Sequence, residues 1–101
     1  MPKNKNQLNP NRIFRMSAKV IMEVFEQGAL VFQLSDRHLI EINPVAAKIL
    51  KETDGQRSEN QVATAIARKY KIPESEATYD TKLFYQQLAT KGIVEVVPNH
   101  R

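Results

Sequence analysis

Side chains that could carry out catalysis are scarce in this sequence of 101 residues. It contains no cysteine and two histidines, His38 and His100, and neither histidine has another ligand at the spacing of a metal site. The acidic residues are scattered over turns and helix starts, where capping and helix-dipole contacts account for them. The three glycines are too far apart for a phosphate-binding loop. We therefore expect a protein that is not an enzyme and that holds no cofactor and no metal.

The net charge of +4 is unevenly distributed. Residues 1–19 contain five basic and no acidic side chains, whereas residues 20–101 contain ten basic and eleven acidic ones. The first twelve residues are polar and include two prolines, so they have little to bury. We predict a flexible basic N-terminal arm over 1–19, one folded domain over 20–97 and a tail over 98–101. No apolar run is long enough for a signal peptide or a membrane span, which predicts a cytoplasmic protein without a membrane partner.

The first elements of the domain follow a β pattern. Residues 20–25, 29–34 and 38–42 are rich in β-branched and aromatic side chains. Two short polar turns separate these three segments, and the first turn ends in Gly28. The pattern predicts a three-stranded antiparallel meander.

Helical patterns follow the meander. Asn43-Pro44 is an N-terminal helix signal, and we predict a first helix from there to Gly55. The second helix starts at a capping box, Ser58 to Gln61. The third helix runs from Pro73 to Gly92, and a short C-terminal strand or wing follows at 93–97. We predict that the third helix faces the core with four residues, Ala77, Thr81, Phe84 and Leu88. The predicted fold class is therefore α+β, of the winged helix-turn-helix type.

This fold leaves three binding functions open. A winged helix can bind DNA through its third helix, but Glu74, Glu76 and Asp80 outnumber the lysines of that helix and weaken any attraction to phosphate. An outer strand at 38–42 could add an extended peptide through backbone hydrogen bonds. The same strand could pair with a second copy and form a homodimer that competes with the peptide. On the third helix, Tyr79 and Leu83 form a second, weaker apolar stripe beside the core stripe.

Several segments in order carry a resemblance to a known family. They are Leu39 to Leu50, Asp54-Gly55 with Ser58, Val62 to Tyr70, and the spacing D-x-x-x-F-x-x-x-L-x-x-x-G from Asp80 to Gly92. They lie within the stretch from Ala29 to Val94, about two-thirds of the chain, and this stretch resembles the PqqD family of pyrroloquinoline quinone biosynthesis and its relatives, the recognition elements for ribosomal peptide natural products. Thr81 stands where that family usually has a hydrophobic residue.

The resemblance implies a non-catalytic chaperone. The leader segment of a precursor peptide would add to the third strand and lie against the third helix, and a partner enzyme, commonly a radical S-adenosylmethionine enzyme, would modify the peptide. The acidic balance of the third helix disfavours nucleic acid as a partner, and a DNA-binding transcriptional regulator is the alternative. The candidate strand-edge residues are Arg37, His38, Leu39, Ile40 and Glu41; the candidate helix residues are Tyr79, Asp80, Leu83 and Gln87. Both a quinone-cofactor pathway and another modified-peptide pathway remain open.

Overall fold

The structure, a computed structural model, describes residues 11–98. The predicted α+β fold is confirmed: a three-stranded antiparallel meander, three helices and a C-terminal strand are all present. Predictions for residues 1–10 and 99–101, including His100, lie outside the described residues. The elements are β1 (Ile13–Met16), β2 (Val20–Phe25), β3 (Gly28–Gln33), β4 (His38–Ile42), α1 (Pro44–Lys51), β5 (Asp54–Ser58), α2 (Glu59–Tyr70), α3 (Glu74–Thr90) and β6 (Val94–Val96).

The meander is formed by β2, β3 and β4, with β3 in the centre. A two-residue turn, Glu26-Gln27, joins β2 to β3, and Phe25 lies opposite Gly28. Because side chains alternate between the two faces of a strand, one face turns toward the helices and the other toward solvent. Val31 is fully buried on the inner face, where Ile40 packs beside it, half-buried. The meander thus supplies one wall of the core and leaves β4 at its edge.

A second sheet has the order β5-β1-β6, and the sequence analysis did not predict it. Residues 13–16 were predicted to belong to the flexible arm, but they form the central strand of this sheet. Phe14 is only 2% exposed and stacks on Tyr85 with ring centroids 4.2 Å apart. Just before the strand, the Arg12 guanidinium lies 3.6 Å from the buried carboxylate of Glu59. β1 is therefore part of the folded domain, since its apolar residues have partners far away in the sequence.

The helix boundaries follow the predicted capping signals at three ends and depart from them at one. Asn43 caps α1 by accepting a hydrogen bond from the Ala46 amide at 2.8 Å, and the capping box of α2 is present. At the end of α3, the amides of Gly92 and Ile93 donate to the carbonyls of Ala89 and Leu88 in a Schellman motif. The first helix, however, ends earlier than predicted.

Gly55 does not terminate α1. The helix ends at Lys51 with Glu52 as a right-handed C-cap, and Gly55 lies within β5 with a φ of +81°. The strand forms because β1 offers it a partner, and Ile13 and Arg15 lie opposite Ser58 and Asp54. A local pattern of turn residues could not reveal that distant partner.

Tyr85, rather than Phe84, is the fully buried aromatic residue of α3. Its hydroxyl lies 2.7 Å from that of Thr53, which in turn donates to the Ile49 carbonyl at 2.6 Å. This pairing allows a phenol to occupy the core, since a buried hydroxyl needs a hydrogen-bond partner. Phe84 is half-buried and packs at the border of the core.

Burial of Tyr85 predicts a loss of stability in alkali. Desolvation raises the pKa of Tyr85 to about 12, whereas a tyrosine in the unfolded chain ionises near pH 10. The stabilisation from the protonated phenol is complete below pH 10 and is lost as the pH rises toward 12. We expect this residue to account for a loss of about 2 to 3 kcal/mol in the free energy of unfolding by pH 12.

Urea unfolding of the wild type and of Tyr85→Phe at a series of pH values measures this contribution. The Tyr85→Phe variant lacks the ionising phenol, so its stability should fall less between pH 10 and 12. Parallel curves for the two proteins would contradict the prediction.

Candidate functional site

The outer edge of β4 offers unpaired backbone groups. The two-residue turn makes Phe25 and Gly28 a hydrogen-bonded pair, so β3 residues alternately bond to β2 and to β4. Ala29 then bonds to β4, opposite Ile42. A Cβ added to Gly28 would lie 2.0 Å from the Ile42 carbonyl oxygen, which shows independently that this carbonyl points toward β3.

The same alternation fixes the direction of the remaining backbone groups of β4. His38 and Ile40 share the orientation of Ile42 and bond to β3. The amides and carbonyls of Leu39 and Glu41 therefore point away from the sheet, and none of them is bonded to the backbone within residues 11–98. An extended peptide could pair with β4 through these four groups.

The side chains of β4 divide between the two faces. Ile40 and Ile42 are half-buried against the core, and His38 lies on the same face but is exposed, whereas Leu39 and Glu41 are exposed on the opposite face. Leu39 is 59% exposed, on the face turned away from the core. The edge therefore combines open backbone groups with apolar side chains.

Two cavities lie beside α3, one near each end of β4, and together they are called the cleft. Near the start of α1, Asp80 and Phe84 line a cavity of about 270 Å³. Its other lining residues come from the N-terminal half of α1 and its cap: Asn43, Val45, Ala46 and Ile49. This end of the cleft is mainly apolar, with the Asp80 carboxylate and the Asn43 amide among its polar groups.

Near the start of β4 lies the second cavity, of about 430 Å³. There the Gln33 side chain donates to the Lys91 carbonyl at 2.7 Å and ties the end of α3 to the meander. This bond sets the spacing between strand and helix at that end. The lining residues are Gln33, Asp36, His38, Ile40, Thr90 and Lys91.

The predicted helix residues are only partly brought together with the β4 edge. Asp80 lines the apolar cavity, but Tyr79 and Leu83 lie about 100° or more around the helix from Phe84 and are exposed. Gln87 is exposed and lines neither of these two cavities. A role in binding for Tyr79, Leu83 and Gln87 stays a prediction.

Sequence reasoning missed several residues of the cleft. Phe84 was predicted to face the core, and Thr90 and Lys91 fall within the predicted third helix, where no binding role was predicted for them. A signal was available, because Asp80, Phe84 and Lys91 recur at helical spacing on one side of α3. Asn43 was noted only as a helix cap.

The described residues include no cluster of acids and histidines that could hold a metal ion. Within residues 11–98, no helix is both long and apolar enough to cross a membrane.

Comparison with known proteins places this chain in a family. Residues 20–94 match the family described as coenzyme PQQ synthesis protein D, which is most of the chain. The chain belongs to the PqqD family. A curated relative, the PqqA binding protein of Rhizobium meliloti (strain 1021), is 27% identical over 64 residues, which are 63% of this chain. The match spans 65% of that relative, just under two thirds of its length.

Solved structures share the PqqD-type fold. TbiB1 in complex with the TbiA(beta) leader peptide has a TM-score of 0.73 at 17% identity, covering 80% of this chain and 94% of that one. Lasso peptide synthetase B1 complexed with its leader peptide has a TM-score of 0.72 at 18% identity, with coverages of 81% and 96%.

The solution structure of the PqqD truncation of Methylobacterium extorquens PqqCD, a stand-alone recognition element, has a TM-score of 0.69 at 19% identity. It covers 82% of this chain and 88% of that one. At these identities the three likenesses show the fold alone.

Proposed function

We propose that this chain is a non-catalytic adaptor that binds the leader segment of a ribosomally made precursor peptide. The peptide adds to β4 as a fourth strand of the meander and lies in the cleft against α3. The observation that carries the proposal is the open edge of β4, where the backbone groups of Leu39 and Glu41 face outward beside that cleft. Two proteins of the same fold are leader-peptide complexes, and a curated relative is a PqqA binding protein.

The shape of the cleft supports one kind of peptide contact. The cavity between α1 and α3 is bordered by Phe84, Val45 and Ile49, so it suits one apolar side chain of the peptide.

The covalent modification of the peptide then belongs to a separate enzyme, a radical S-adenosylmethionine enzyme or another peptide-modifying enzyme. A cytoplasmic location fits this role.

Charge disfavours DNA binding by the same fold. Glu74 and Glu76 lie exposed in the first turn of α3, the helix that would enter a major groove. These carboxylates would repel phosphate.

Titration of leader peptides into the ¹⁵N-labelled chain tests the proposal. The peptides encoded beside its gene are the probes, and a scrambled peptide of equal composition is the control. We expect saturable shifts of amides in residues 37–43 and along the cleft side of α3. If no leader peptide shifts β4, and duplex DNA instead shifts α3, the adaptor function is wrong.

A further inference from the structure

The outer face of the meander, the side turned away from the core, carries an uncovered apolar row. Ile21 on β2, Phe32 on β3 and Leu39 on β4 lie directly opposite one another across the three strands. Ile21 is 54% exposed and Leu39 is 59% exposed, and Phe32 between them is half-buried. Within residues 11–98 no element packs over this row. An uncovered row of large apolar side chains on a sheet is typical of an interaction surface.

Charged residues flank this row with opposite signs on its two sides. Two residues before Ile21, Lys19 lies beside Leu34, whose amide donates to the Lys19 carbonyl at 2.9 Å. Arg37 lies in the turn at the same end. Leu34 is also an exposed apolar residue, at 47%. One side of the row is therefore basic with an apolar centre.

The other side of the row has the same pattern with the sign reversed. Glu23, Leu30 and Glu41 lie opposite one another across the three strands. Neither glutamate makes an ion pair within the described part of the chain, and the side chains of Lys19 and Arg37 make none there either. We call Lys19, Leu34 and Arg37 the basic row, and Glu23, Leu30 and Glu41 the acidic row. Alternate residues of a strand are about 7 Å apart, so the two charged rows are equally distant from the apolar row.

We propose that this face binds a second copy of the chain, with a two-fold axis along the Ile21–Phe32–Leu39 row. This axis brings each residue of the apolar row against the same residue of the partner subunit. It also places the basic row of one protomer on the acidic row of its partner. Lys19 then faces Glu23 of the partner subunit, and Leu34 faces Leu30 of the partner subunit.

Charge selects this arrangement over the other face-to-face dimer. An axis parallel to the strands would place Lys19 near Arg37 of the partner subunit, and Glu23 near Glu41 of the partner subunit. These contacts between like charges are unfavourable. The pattern also favours a second copy over an unrelated partner, because one face supplies both halves of the complementary charge. The contact leaves the outward backbone groups of β4 and the cleft uncovered, so the dimer does not compete with strand addition.

The size of the face predicts a weak dimer. Three short strands present less area than the roughly 800 Å² per partner of a standard interface. We expect a dissociation constant between the micromolar and millimolar ranges. The two β4 edges lie on the same side of this dimer, so each protomer keeps its own peptide site.

Sedimentation equilibrium of the full chain from micromolar to millimolar concentration tests the proposal. We expect Ile21→Glu to give a dissociation constant more than about tenfold above that of the wild type, because it buries a charge within the apolar row. Lys19→Glu and Glu23→Lys should each raise it about fivefold, because each variant creates two like-charge contacts. The double variant carrying both changes should return to within about twofold of the wild type.

The double variant makes the test specific, because only the proposed axis brings these two positions together. A wild type that stays monomeric at every concentration overturns the proposal, and so does a double variant that is as weak as the single ones. Lys19, Ile21 and Glu23 are exposed and lie away from the cleft, so the variants should fold. Thermal unfolding checks the fold, and unchanged leader-peptide binding by Ile21→Glu separates this surface from the β4 edge.

Discussion

Proline at Leu39 or at Glu41 should lower leader-peptide affinity by more than about tenfold while the domain stays folded. Each substitution removes an amide that points away from the sheet, so the ladder between β3 and β4 loses no hydrogen bond. A peptide carbonyl left without its donor costs about 1 to 3 kcal/mol, and about 1.4 kcal/mol corresponds to a tenfold change in affinity. Isothermal titration calorimetry with the leader peptide measures the loss.

Two kinds of matched variant complete this experiment. Leu39→Ala and Glu41→Ala keep the amide, so they separate the backbone contribution from that of the side chain. Ile40→Pro removes an amide that bonds to β3 and should destabilise the domain itself. Normal affinity in both Leu39→Pro and Glu41→Pro would show that the peptide does not pair with β4.

Phe14→Ala should lower the free energy of unfolding by about 3 to 5 kcal/mol, a large share of the stability of a small domain. The phenyl ring is 2% exposed and lies nearly parallel to the ring of Tyr85, at an interplanar angle of 15°. Its loss leaves a cavity between β1 and α3 that no neighbouring side chain fills. Urea unfolding followed by circular dichroism measures the change.

Two further variants control for the nature of the substitution. Phe14→Leu keeps most of the apolar volume and should cost clearly less than Phe14→Ala. Ile21→Ala removes an exposed side chain of the meander and should change stability by no more than about 1 kcal/mol. If Phe14→Ala proved as mild as Ile21→Ala, β1 would not be part of the folded core.

The sequence predicted the elements whose partners are close in the chain. The meander could be predicted because each strand is followed within a few residues by the next, and α2 because its capping box is local. β1 and β5 were missed because each has four or five residues, mostly polar in β5, and no neighbouring hairpin. They become strands by pairing with each other across some forty residues, and β1 also pairs with β6 near the other end of the chain.

The candidate site was predictable to the same degree. The open edge follows from the meander, and Asp80 follows from the family resemblance. Phe84 and Tyr85 are adjacent aromatic residues, and periodicity alone does not decide which one is buried. The hydroxyl of Thr53 decides it, because it gives the Tyr85 phenol a partner inside the core.

The position of β1 between β5 and β6 has a consequence for how the chain folds. β1 is made first of the six strands and β6 last, and Phe14 lies opposite Val96 in the finished sheet. During synthesis the meander can form from neighbouring segments, whereas β1 stays unpaired until β5 and β6 have been made. Closing these long loops is entropically costly, so the earliest strand to leave the ribosome is paired only after the meander.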